Sequence, residues 1–346
     1  MILKFVQVCW RGRDLYLIAK DIYIRQTIDN RGNVLLALIS VLVITYLGYW
    51  LLRVSKRLPE TALTEICWGS AAKEYAPLPK QIWTFWHDSH PPQVVRECIA
   101  GWQRLNPDYQ ITLVTRDSIG QYINNLPTNF TEVHITKQAD WLRLALLEKY
   151  GGIWLDSSIL LTQSLDSWLS RYSSESNNSF IGFYLARHNT DASSPLLENW
   201  FLAAKQGDPF IKDWFAAFNH NTFELGTDRY LQQLRQQGKL ATYQQGFDTP
   251  EYHTMHVMAQ ELLHAPAAQS KYRLTLIKAE DLAFKLQHYS QWRRRRLFWR
   301  LLVGNDPNAP ALIKLRGGER RKLEWYLKHK LYARNSLIGQ QLTQNQ

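Results

Sequence analysis

Apolar and polar positions alternate with different periods along the chain, and the periods predict its elements. KQIWTFWHD (80–88) reads as a strand, closed off by Pro79 before it and the Pro91-Pro92 pair after it. Pro92 opens a helical pattern in which Val95, Ile99 and Trp102 recur at helical spacing. NPDY (106–109) stops that helix, and QITLVT (110–115) supplies a second strand. Strand, helix, strand at this pitch is a βαβ unit, which predicts a mostly parallel sheet. A helix around Leu142 to Lys149 follows and ends at Gly151-Gly152. IWLDSSILL (153–161) and SFIGFYLA (179–186) read as strands, PLLENWFLAAK (195–205) and PFIKDWFAAF (209–218) as helices. No internal repeat is visible. The class is α/β, with helical additions toward the carboxyl end.

Upstream the pattern changes. Val34 to Leu52 is 19 residues without a charge, bracketed by Arg31 and Arg53. As a helix it would be about 28 Å long, close to the hydrocarbon thickness of a bilayer. Tyr46, Tyr49 and Trp50 fall where an aromatic belt would lie. The expected organisation is a basic, amphipathic leader (1–33), a transmembrane anchor (34–52), a linker (53–77), a globular domain (78–335) with basic amphipathic helices from about 291, and a tail (336–346). Basic residues flank the anchor evenly, so its orientation stays open.

Composition adds two constraints. A hydrophobic content of 45% is ample for a core and argues against disorder. Cys9, Cys67 and Cys98 are scattered, so they suggest buried thiols rather than a zinc site or a disulfide framework. The net charge is +11, and from Lys271 onward there are 17 Lys and Arg against 5 Asp and Glu. That bias suits anionic lipid or a phosphorylated substrate. Without zinc-finger spacing, an RNA-binding aromatic signature or a P-loop, nucleic acid is not expected as a partner. Arg293–Arg296, among Trp292, Leu297, Phe298 and Trp299, reads as a basic amphipathic helix on a membrane surface.

The chemistry lies in ADWLRLALLEKYGGIWLDSS (139–158). Its helix is apolar nearly all the way round and should be buried, yet it carries Asp140 and Arg143. Buried charges cost several kcal/mol unless they are paired or meet a polar ligand. Asp140 and Arg143 share a helix face, and Asp156 sits at the carboxyl end of the next strand, where ligands bind in open α/β sheets. Two carboxylates and a guanidinium converging on one crevice suit a polyhydroxylated, phosphorylated ligand. Such a ligand would lie between Asp140 and Arg143, with Asp140 hydrated when the crevice is empty.

This stretch resembles the core of the DxD-containing sugar transferases of glycosyltransferase family 32. It is closer still to their capsular polysaccharide synthesis relatives, in which the strand reads like GGxWxDxT. The large clostridial glucosylating toxins share the spacing of an aspartate, an arginine three later and the DxD aspartate sixteen after the first; Asp140, Arg143 and Asp156 keep it. LPKQIWTFWHD and GWQRLNPDYQITLV resemble the opening strand and the following segment of these domains. The likeness covers residues 78–165 well and the remainder loosely.

The resemblance implies a GT-A-like fold, a nucleotide-sugar donor, a glycan or lipid-linked acceptor and transfer with retention. Asp140 and Arg143 would bind the transferred sugar. Asp156 would contact the ribose and a divalent metal, Mn2+ or Mg2+. Trp86 or Trp83 would lie near the base. Ser158 stands where the family's second metal-binding aspartate would be, which leaves a weak neutral ligand. His256 resembles a histidine of the capsular group and could help to hold the metal, a structural role being the alternative. Lys314 and Arg316 resemble a carboxyl-terminal lysine motif, for a diphosphate contact or as surface charges.

The expected protein is a membrane-anchored glycosyltransferase building capsular or surface polysaccharide at the cytoplasmic face of a bacterial inner membrane. Two alternatives remain. One is a Golgi-type luminal enzyme, permitted by the sequons at Asn129 and Asn177; the other is a catalytically inactive sugar-binding or scaffold protein, prompted by Ser158.

Overall fold

The computed structural model describes residues 31–54, 57–175, 177–189, 191 and 193–342. The expected leader lies almost wholly outside them. In chain order the elements that matter here are α1 (Arg31–Val54), β1 (Glu65–Trp68), β2 (Gln81–Phe85), α2 (Gln93–Leu105), β3 (Gln110–Val114), α3 (Ile135–Tyr150), β4 (Gly152–Leu155), β5 (Ile159–Leu161), β6 (Phe180–Tyr184), β7 (Leu197–Ala204), α4 (Pro209–Asn219), α5 (Thr254–Leu263), β8 (Leu274–Lys278), α6 (Arg294–Leu302), β9 (Leu312–Lys314), α7 (Gly317–Lys328) and α8 (Leu337–Gln341).

The main sheet runs β1-β8-β6-β7-β4-β2-β3. Strands β3, β2, β4, β6 and β8 point one way, while β7 and β1 run against them. Alternation along each strand divides the core in two. Ile82, Ile153, Leu155 and Phe183 pack under α2 and the carboxyl-terminal helices; Trp83, Trp154, Phe180 and Leu202 pack under α3, α4 and α5. Central strands covered on both faces lose their polar side, which is why β4 and β6 read as continuous apolar runs.

The same effect hides β7. PLLENWFLAAK reads as a helix, but the structure makes it a strand, antiparallel to β4 and β6. With apolar side chains on both faces, its period carries no signal that separates strand from buried helix. IWLDSSILL is two strands rather than one: β4 ends at Leu155, and β5 leaves the main sheet to pair with β9. The stretch expected as linker contributes β1, paired with β8. The stretch expected as tail contributes α8, with Leu337, Ile338 and Leu342 in the core.

Two expectations about membranes are corrected. A helix, α1, forms over the uncharged run, but among the described residues no helix is long and apolar enough to cross a membrane. Near the carboxyl end of α1, Arg296 of α6 lies 5.7 Å over the Trp50 ring. The transmembrane anchor and the bacterial inner-membrane localisation are therefore not retained. Most of the apolar side of α6 is also turned inward: Leu297, Phe298, Leu301 and Leu302 are buried in the core, Trp299 is half-buried, and Arg294 and Arg295 face solvent. Of the thiols, Cys98 is buried and Cys67 exposed, while Cys9 lies outside the described residues.

Gly151 and Gly152 turn the chain from α3 into β4 with φ of 66° and 96°. A Cβ on Gly152 would stand 2.6 Å from the Gln81 carbonyl oxygen, and one on Gly151 2.8 Å from the Gln206 nitrogen. Both the left-handed backbone and the close approach demand glycine. Gly152→Ala should cost roughly 2–4 kcal/mol, measured as the shift in urea midpoint; an unchanged midpoint would contradict this geometry.

Candidate active site

A cleft of about 790 Å³ opens where β2, β4 and β6 end and the antiparallel β7 begins. Trp86 and His87 come from the end of β2, Asp156 to Ser158 from the end of β4, and Glu198 to Trp200 from the start of β7. This is the carboxyl edge at which α/β sheets bind ligands.

Arg143 organises its floor. The side chain is only 4% exposed and bridges two carboxylates, pairing with Asp140 through Nη1 and donating from Nη2 to Asp156 Oδ1 at 3.1 Å. Its guanidinium lies 4.9 Å over the Trp154 ring. Asn199 Nδ2 donates to Asp140 Oδ1 at 3.1 Å, and Trp154 Nε1 to Asp156 Oδ1 at 3.1 Å. Lys314 Nζ takes the other Asp156 oxygen at 2.6 Å. Burial pushes the Asp156 carboxyl up, but Lys314 and Arg143, with hydrogen bonds from Lys314 and Trp154, more than offset it and hold it below the usual carboxylate range. Asp140 is buried and already paired, so it is not the water-exposed carboxylate that an open crevice would give.

The other expected residues divide. Trp86 lines the cleft, with the Arg320 guanidinium 4.6 Å over its ring. Trp83 does not: it is buried against Tyr122 and Tyr150, and its indole donates to the Gly151 carbonyl at 3.1 Å, which braces the glycine turn. Ser158 lies in the cleft wall. Lys314 is no surface charge; β9 pairs with β5 so that Lys314 stands opposite Ile159, beside the Asp156 turn. Arg316 is taken up by the fully buried Glu319, 2.5 Å away.

These residues do not fit a divalent metal. Among the described residues no group of three or more His, Cys, Asp and Glu could hold one. Both Asp156 oxygens already accept from cations, which would repel a metal, and Ser158 adds only a neutral oxygen. His256 lines the cleft but is packed edge-on against Phe247 and His253, with Nδ1 buried and unpartnered. Burial, with His253 nearby, keeps it well below its ordinary pKa and so neutral.

Residues 64–290 match the family described as "Capsular polysaccharide synthesis protein". The chain belongs to that family. Lys314, Arg320 and Trp292 lie beyond the matched residues. O-glycosyltransferase braB of Annulohypoxylon truncatum is 31% identical over 157 residues, covering 40% of this chain and 37% of that protein. The initiation-specific alpha-1,6-mannosyltransferase of Saccharomyces cerevisiae is 34% identical over 119 residues, covering 30% and 24%. The matched stretch thus spans less than two fifths of these relatives, and both are fungal, which lends nothing to a bacterial membrane. Among solved structures, PaToxG glycosyltransferase gives a TM-score of 0.35 at 13% identity, covering 84% of this chain and 93% of that chain. An overlap of that size carries no argument about fold or activity.

Within this family member, the pattern of the sequence missed several cleft residues, Glu198, Asn199, Arg187, Trp292 and Arg320 among them. Glu198 and Asn199 were hidden by reading β7 as a helix; buried on both faces, the segment has no alternation that would have revealed the strand. Arg187 and Trp292 arrive from turns. Gln291 and Trp292 both hold positive φ, 54° and 56°, a strained pair that sets the Trp292 ring 4.3 Å under Arg187.

Glu198 is buried, with Trp200 Nε1 donating to Oε2 at 2.6 Å. Burial pushes its carboxyl up to about 7; the Trp200 hydrogen bond and Lys314 pull down, while Glu280 and Asp156 push up. The folded state therefore holds this proton where the unfolded chain has lost it. Stability from Glu198 is fully present below the unfolded value of about 4.5 and is lost as pH rises toward 7. Glu198→Gln should gain stability relative to the parent between pH 5 and 8, by roughly 1–3 kcal/mol at the alkaline end. Parallel melting curves at every pH would contradict this.

Proposed function

We propose that the protein is a glycosyltransferase that moves a sugar, with retention, from a nucleoside-diphosphate sugar to a glycan or lipid-linked acceptor in surface or capsular polysaccharide synthesis. The observation that carries the reading is the Asp140–Arg143–Asp156–Lys314 network on the floor of the cleft. It offers carboxylate oxygens and N–H donors side by side, which is what a sugar hydroxyl array joined to a diphosphate requires. In this reading Asp140 and Arg143 bind the transferred sugar, Asp156 the ribose, and Trp86 the base. Transfer breaks the bond between the anomeric carbon and the diphosphate oxygen, which keeps the electron pair and gains one negative charge. The acceptor oxygen bonds the same carbon, and its hydroxyl proton passes to the departing diphosphate. The protein's part is to hold both partners and to stabilise that charge.

The test is release of nucleoside diphosphate from UDP- and GDP-linked sugars, with and without simple glycan acceptors, by the full chain. Turnover with one donor, yielding an α-linked product from an α-linked donor, is expected. A folded protein inert toward every donor would favour the sugar-binding scaffold that Ser158 suggested.

A further inference from the structure

We propose that side-chain cations, Arg187, Lys314 and Arg320, hold and neutralise the donor's diphosphate in place of a divalent metal; this rests on the nucleotide-sugar reading above. Two observations carry it. The first is the mismatch already described: each Asp156 oxygen already accepts from a cation, Arg143 on Oδ1 and Lys314 on Oδ2, and that positive charge disfavours a metal there.

The second is a surplus of positive charge at one end of the cleft. Arg187 and Arg320 line it without a carboxylate partner among the described residues. Each sits over a tryptophan ring instead, Arg187 4.3 Å from the Trp292 ring centre and Arg320 4.6 Å from that of Trp86. Stacking fixes the plane of a guanidinium and leaves its edge of N–H donors free, the geometry that meets phosphate oxygens in pairs. Arg320 is also half-buried, and an unpaired cation that has lost much of its water is costly unless an anion arrives. The strained Gln291-Trp292 turn presents the ring beneath Arg187.

Lys314 completes the group. Its ammonium is 12% exposed and stands between Asp156 and the cleft, so one carboxylate fixes it while its remaining donors face the ligand. Helix α7 begins at Gly317, which also lines the cleft, and a Cβ there would meet nothing nearer than Arg321 Nη1 at 3.9 Å. The partial positive charge of that helix start adds to the side chains, though the fully buried Glu319 of its first turn takes part of it. Three cations and a helix terminus supply the charge that a divalent ion would bring. The basic excess of the carboxyl-terminal region thereby finds a role inside the cleft.

The experiment is calorimetric titration of UDP and GDP into the purified full chain, in EDTA and in manganese, with the matching nucleosides as controls. One of the diphosphates should bind with Kd equal within about twofold in the two buffers. Arg187→Ala should weaken it by about tenfold or more, as expected for a charge-assisted hydrogen bond, and leave the nucleoside unaffected; Arg320→Ala and Lys314→Ala should weaken the diphosphate at least as much. Arg187 lies over Trp292 and touches neither Asp156 nor Trp86, so its variant reads the diphosphate contact without disturbing the ribose and base sites. Donor turnover measured in the same preparation separates the failures. Binding and turnover that both require manganese would overturn the cradle and leave the glycosyltransferase reading standing. No binding and no turnover in either buffer would overturn that reading, and the cradle with it.

Discussion

Asp156→Asn should lower sugar transfer by a factor on the order of 10²–10³ while the protein stays folded. The carboxylate is the meeting point of the site: Arg143 and Trp154 share one oxygen, Lys314 takes the other, and its own amide donates to the Trp200 carbonyl at 2.9 Å. An amide of the same shape keeps the turn but removes the charge that fixes Lys314 and Arg143 in place. Loss of two charge-assisted hydrogen bonds should cost about 1–3 kcal/mol of stability, far less than the loss in rate. The pH dependence gives a second readout. Lys314 and Arg143 hold the carboxyl below the usual carboxylate range despite its burial, so its contribution is present above the unfolded value and is lost as pH falls below it. The variant should lack that part of the parent's acid sensitivity. Steady-state kinetics and melting from pH 3 to 7 check both. Near-parental turnover would remove Asp156 from the site.

Arg143→Ala should destabilise the folded protein by about 3–5 kcal/mol as well as abolish transfer. The side chain is inaccessible and is the shared partner of two carboxylates, so its removal strands Asp140, which retains only Asn199. This reverses the expectation that water would solvate Asp140 in an empty crevice. Arg143→Lys separates the two roles. A single ammonium can hold one carboxylate but cannot fork to both, so stability should recover in part while donor affinity stays weakened. The check is urea denaturation beside donor titration for both variants. An alanine variant as stable as the parent would contradict the buried bridge.

What the sequence disclosed and what it hid follow from range and burial. The α3–β4 unit was legible because an all-round apolar helix bearing two charges conflicts with itself, and a glycine pair marks where it ends. Trp86 and Trp83 could not be told apart by period, since both belong to one apolar run; only the neighbours show that Trp83 braces Gly151 while Trp86, just past the strand, faces the cleft. Glu198 was invisible while β7 passed for a helix. Lys314 reaches Asp156 across 158 positions through the β5–β9 pairing, and no local pattern encodes such a partnership. The uncharged run over α1 was read correctly as helix, but among the described residues no helix is long and apolar enough to span a membrane.

The claim on which the rest depends is that the cleft above Arg143 binds the nucleotide. A crystal structure of the full chain with the tighter-binding of UDP and GDP tests it most directly. The account predicts ribose hydroxyls at Asp156 and diphosphate oxygens within hydrogen-bond distance of Lys314 and Arg320. Nucleotide bound outside this cleft, with the Asp140–Arg143–Asp156 network untouched, would contradict it.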